Sequence, residues 1–143
     1  MTLRTVARNS CAAAFALLTG CALITDPGDR PRVSLVLRQT DEVGFLGPSA
    51  EVQASDVVLR GLFSTPCLGY TVTAGAKQRR GTVEITLRGR QQGEGCLTAI
   101  GRLPYTATVS GVKSGTQRVI VQHLIENANW PATTVVDTIL RIP

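Results

Sequence analysis

Thr82-Val83-Glu84-Ile85-Thr86-Leu87-Arg88 alternates polar and aliphatic residues without a break. Side chains of a strand point to opposite faces in turn, so Val83, Ile85 and Leu87 face a core while Thr82, Glu84, Thr86 and Arg88 face water. The same rhythm recurs on both sides of this stretch. Val33, Leu35 and Leu37 alternate with Ser34, Val36 and Arg38, and Tyr70 and Val72 alternate with Thr71 and Thr73. Tyr105, Ala107 and Val109 alternate with two threonines and a serine. Further strands are expected over Val52–Phe63, Cys96–Ile100, Arg118–Leu124 and Thr133–Ile142. The first of these reads as one long strand or as two, with Ser55-Asp56 as the break.

Turn residues punctuate the pattern. Gly44, Gly47 and Pro48 mark a connection over Thr40–Ser49, and Ser64-Thr65-Pro66 turns the chain ahead of Cys67. Ala74–Gly81 is expected to be a turn carrying Lys77, Arg79 and Arg80. Gln91–Gly95 and Gly111–Gly115 are loops by composition, and Gly101 and Pro104 bracket a break. Glu126–Pro131 is a loop that holds Trp130, the sole tryptophan. No apolar spacing of three and four persists after the first 20 residues, so no amphipathic helix is expected there. Seven to nine short strands at this spacing predict an all-β domain, an antiparallel β-sandwich, with a small closed barrel as the alternative.

The start of the chain is different. Met1–Ser10 contains Arg4 and Arg8 and no acid, and Cys11–Leu18 is an apolar run too short to span a bilayer. Leu18-Thr19-Gly20-Cys21 follows. This order of basic, apolar, small and cysteine resembles the signal peptide and lipobox of bacterial lipoproteins. The resemblance covers about the first 25 residues. It implies that residues 1–20 are a cleaved signal peptide with a helical apolar run, that the Cys21 thiol carries diacylglycerol and that the new amino end is acylated. Two or more acyl chains hold a protein firmly, at ~0.8 kcal/mol per buried methylene. Residues 21–31 then read as a lipidated tether, with Asp26-Pro27-Gly28-Asp29-Arg30-Pro31 unable to pack a core. Residues 32–143 are the predicted domain. The resemblance places the chain in the cell envelope. Alanine rather than aspartate at position 22 favours the outer membrane in a two-membraned cell, facing the periplasm or the surface. An ordinary secretory signal, or a cytoplasmic protein with an apolar start, are the competing readings.

Removing the first 20 of 143 residues leaves 123, enough for one domain with its own core. Losing Arg4 and Arg8 lowers the formal charge from +5 to +3, which is no nucleic-acid footprint. Of four cysteines, Cys11 would leave with the signal and Cys21 would carry lipid. Cys67 and Cys96 remain, and an oxidising compartment implies a disulfide between them. A pair of free buried thiols is the alternative. The chain has no Cys-x-x-Cys and a single histidine, so no metal site and no cofactor are expected.

Tyr105–Val112 followed by Arg118–Val121 resembles the last hairpin of immunoglobulin-like and fibronectin-type domains, over about 17 residues. No tryptophan lies between Cys67 and Cys96, so the antibody core arrangement is absent. His123 continues the Val119 and Val121 face and reads as a partly buried structural residue. Gly-x-Ser-x-Gly, a calcium loop and a phosphate loop are all missing from the sequence. Lys77, Arg79 and Arg80, with Arg88 and Arg90 beyond them, form the most distinctive surface feature. They suit anionic headgroups or an acidic glycan, or simply keep a hairpin soluble. Trp130 is either an exposed contact for a partner or a cap on the open end of the core. The expected function is a lipid-anchored, non-enzymatic binding or structural module that contacts the membrane through its lipid and an envelope protein or glycan through its surface. The alternative is an inhibitor or accessory subunit of a secreted enzyme.

Overall fold

The computed structural model describes residues 30–38, 47–93, 95 and 100–143. Eight strands make up these residues: β1 (Arg32–Leu37), β2 (Ser49–Gln53), β3 (Asp56–Thr65), β4 (Tyr70–Arg79), β5 (Thr82–Gln91), β6 (Gly101–Ser110), β7 (Gly115–Ile125) and β8 (Thr133–Ile142). They form two four-stranded sheets, in the orders β1-β6-β3-β2 and β4-β5-β7-β8. The sheets remain open, with β1 set near β4 along one seam and β2 near β8 along the other. The protein is therefore an all-β sandwich, and the closed-barrel alternative falls.

The alternating residues meet in the middle. Val57, Leu59, Phe63, Tyr105, Ala107 and Val109 come from the first sheet. Val83, Ile85, Leu87, Val119, Val121, Ile125 and Ile142 come from the second, and all are buried. Each fully buried aliphatic or aromatic side chain contributes ~1.5–3 kcal/mol, which is why the period-two pattern dictates the layer.

The pairing corrects several expectations. All strand pairs are antiparallel but one: β5 and β7 run parallel, with Val83 opposite Val119 and Ile85 opposite Val121. The chain crosses from β5 to β6 in the other sheet and back to β7, so β7 re-enters in the direction of β5. The β6–β7 hairpin that carried the immunoglobulin-like resemblance does not form, since the two strands lie in different sheets. The predicted turn over 74–81 is mostly strand. β4 continues to Arg79 because Ala74 and Ala76 are small apolar residues at inward positions, packed on the core. Only Arg80 and Gly81 turn, with φ of 45° and 79°.

Pro104 does not break β6. Its carbonyl accepts a hydrogen bond from the Arg38 N–H just past the end of β1, at 2.9 Å. The N–H and carbonyl of one residue point to the same side of a strand, so the missing proline N–H faces the residue just past β1 and the ladder to β3 is untouched. Val52–Phe63 resolves into β2 and β3, joined through Ala54-Ser55 with Ala54 at φ 54°. The strand expected over 96–100 lies largely outside the described residues, as do the signal peptide, Cys21 and most of the tether.

Candidate functional site

The strands give the sandwich two distinct ends. Arg32, Gln53, Arg79, Thr82, Ser110, Gly115 and Ile142 mark one end, and Thr65, Tyr70, Gln91, Gly101, Ile125 and Thr133 mark the other.

A cleft of about 200 Å³ opens near the second end, lined by Leu62, Ser64, His123, Ile125, Trp130, Pro131, Thr133 and Val135. One wall is the edge of β3. β2 pairs only with Asp56–Arg60, so among the described residues no strand covers Gly61–Thr65 on that side. The other wall is the β7–β8 loop, whose Trp130 is 45% exposed. Trp130 thus rims the cleft and keeps a free face.

His123 forms the floor. It projects inward from β7, where its ring lies tilted against Phe63 at 4.8 Å and edge-on to Tyr105 at 5.5 Å. The Tyr105 hydroxyl and His123 Nε2 share a hydrogen bond of 3.1 Å. Burial pushes the histidine down to about 4 and the phenol up to about 12, so both are neutral at pH 7. The ring of Tyr105 lies over Gly61, its register partner on β3. The neutral imidazole, bonded to a neutral phenol and set against Phe63, is packed into the wall of the core.

The basic residues are not gathered in one turn. Lys77 and Arg79 lie on the exposed face of β4, and Arg80 is in the turn. Arg88 and Arg90 are exposed on β5 towards the opposite end, where Arg88 approaches Glu126 at 3.9 Å. Lys77 faces Glu84 across the β4–β5 ladder. Next to Arg79 a second cleft, about 420 Å³, is lined by Arg30, Pro31, Ala76, Lys77, Gln78 and Arg79. Sequence reading missed Arg30 as its partner, because only the β1–β4 seam brings residues 30 and 79 together.

Further interactions hold these surfaces. Gln117 is buried and fully used: Gln78 Nε2 donates to its Oε1 at 3.0 Å, and its own amide donates to the Lys113 and Ser114 carbonyls. The Lys113 N–H donates to Gln78 Oε1 at 3.1 Å, so the β6–β7 connection is tied to β4. On the outer face of the second sheet Arg118 grips Asp137 through two hydrogen bonds, at 2.8 and 2.7 Å. That grip lowers the Asp137 pKa below its ordinary value. Arg60 pairs with Glu51 on the other sheet.

Cys67 is fully buried just after β3, and the Thr65 hydroxyl donates to its carbonyl at 2.6 Å. The segment leading from β5 to β6 starts and finishes against this turn. The Gln92 N–H donates to the Gly69 carbonyl at 2.8 Å, and Gly101 is opposite Thr65. Cys96 falls within that segment but outside the described residues. Among the described residues no three of histidine, cysteine, aspartate and glutamate converge to hold a metal. Comparison with protein families, with curated proteins and with solved structures finds no match.

Proposed function

We propose that the chain is a lipid-anchored protein of the cell envelope whose sandwich serves as a non-enzymatic binding or structural module. The observation that carries the anchor is an order of segments. A basic start, an apolar run and Leu18-Thr19-Gly20-Cys21 are followed after a short proline-containing stretch by β1 at Arg32. Nothing bulky is interposed between the thiol and the folded domain, as a membrane tether requires. In a cell with two membranes, Ala22 favours the outer one, with the domain in the periplasm or at the surface.

Support for a non-enzymatic role comes from His123, whose imidazole is committed to Tyr105 and Phe63. Binding falls to the cleft beside Trp130, which offers an apolar rim and an uncovered strand edge to an envelope protein. That same cleft would serve an accessory or inhibitory role towards a secreted enzyme. We also propose a Cys67–Cys96 disulfide, supported by the way the 92–101 segment is pinned at both ends to the turn holding Cys67.

The anchor is tested by labelled palmitate in cells. The wild-type chain is expected to take up label and Cys21→Ser to take up none. Label persisting on Cys21→Ser would show that the lipid, if any, is elsewhere.

A further inference from the structure

The end of the sandwich at which the chain enters carries five arginines from four segments. Arg30 and Arg32 begin the described chain, Arg79 ends β4, Arg80 forms the turn and Arg141 is near the end of β8. All five are exposed. They share an end because the segments pack there. Gly111 lies close to Arg30 and Pro31, Gly81 lies close to Thr116, and Thr116 is opposite Arg141. The Arg118 N–H donates to the Gly81 carbonyl at 2.8 Å, fixing the turn against β7. Lys77 is opposite Glu84 in the β4–β5 ladder just behind this rim. Asp56 is the carboxylate side chain at the same end among the described residues, and Asp26 and Asp29 precede it in sequence.

We infer that this arginine rim is the face the domain lays on an anionic phospholipid surface, with headgroup phosphates entering the cleft between Arg30 and Arg79. Three observations select that occupant. Guanidinium groups bind phosphate in bidentate fashion and are more weakly hydrated than ammonium, and five exposed cations of this end are arginines, with Lys113 beside them in the β6–β7 connection. The cleft they flank, about 420 Å³, is shallow and mixed in polarity, with Pro31 and Ala76 beside the charges. Reach supplies the third. Eight residues lie between Cys21 and Arg30, and the nine steps fully extended span at most ~30 Å. The rim is the end where the tether joins, while the Trp130 cleft is about a strand length further away, ~35 Å along β7. A lipid at Cys21 therefore presents the rim to the bilayer and the cleft to the space beyond. This assignment rests on the lipid anchor for its geometry but not for its chemistry.

The test uses the full chain with Cys21→Ser, so that no acyl group contributes, on vesicles of phosphatidylcholine alone and with phosphatidylglycerol added. The start of the chain, with Arg4 and Arg8, also favours the anionic vesicles, so the rim is read from the loss caused by the arginine replacements within the same chain. Retention is expected to be at least about tenfold stronger on the phosphatidylglycerol vesicles and to fall with salt. Replacing Arg79 and Arg80 together by glutamine is expected to weaken it about twenty-fivefold, at about fivefold for each arginine. Arg80→Asn is the control for folding, since asparagine suits the turn. It is expected to keep the domain folded and to lose about fivefold. Equal retention on both vesicles, or arginine variants that bind like their parent, would overturn the assignment. If palmitate labelling fails while the arginine variants lose phosphatidylglycerol binding, the anchor falls and the surface remains. If labelling succeeds and the arginine variants bind like their parent, the surface falls and the anchor remains.

Discussion

Gly61 lacks a side chain because Tyr105 occupies the space above it. A Cβ built at position 61 would overlap the phenol oxygen and ring. Gly61→Ala is therefore expected to displace Tyr105 and break its bond to His123, destabilising the domain by ~2 kcal/mol or more. Urea denaturation checks this, and an unchanged midpoint would mean the ring moves freely. The histidine carries a second expectation. Its folded pKa, about 4, lies below the ordinary 6.5, so the folded protein binds fewer protons than the unfolded chain between these values. The stabilisation is complete above pH 6.5, falls as pH drops towards 4 and is flat below. The slope is at most about 1.4 kcal/mol per pH unit, and smaller here because one side of His123 opens to the cleft. Urea midpoints of wild type and His123→Gln across this range should differ in slope. Parallel curves would show that the imidazole does not titrate with folding.

The β4–β5 hairpin turns on Arg80 and Gly81, both at positive φ. Two-residue loops of this kind favour Asn-Gly, because asparagine enters the left-handed region at less cost than arginine. Arg80→Asn is expected to raise stability by ~0.5 kcal/mol, seen as a higher melting temperature. A lower one would show that Arg80 makes contacts worth more than its strain. The turn also explains why β4 was hard to read. Gly75 and the cations at 77 and 79 have the composition of a loop, yet each lies on the outward face, where a strand tolerates them. The inward Ala74 and Ala76 are too small to announce a core position. β6 was misread for a related reason, since a proline is harmless once its neighbour strand has stopped.

At the scale of the whole molecule, the bridge and the two ends matter. If Cys67 and Cys96 are joined, intact mass after alkylation of the unreduced protein should show both unmodified, and reduction should lower stability by ~3 kcal/mol. Alkylation of both without reductant would dispose of the bridge. Residue order alone settled that the domain is built of strands, where the final strand runs and which aliphatic residues of β5, β6 and β7 face inward, though not that Leu37 is exposed or that Ala74 and Ala76 pack on the core. Side-chain alternation is a local property, written in consecutive positions, and so it could be read directly. His123 was placed on the inner face for the same reason. Which strands became neighbours could not be read, because burial rewards any pairing that hides the same apolar face. Folding in three dimensions set β7 parallel to β5, separated β6 from β7, lifted Trp130 onto the rim of a cleft and drew Arg30 beside Arg79. Those four outcomes depend on contacts between segments tens of residues apart, and the chain crossings between sheets decide them.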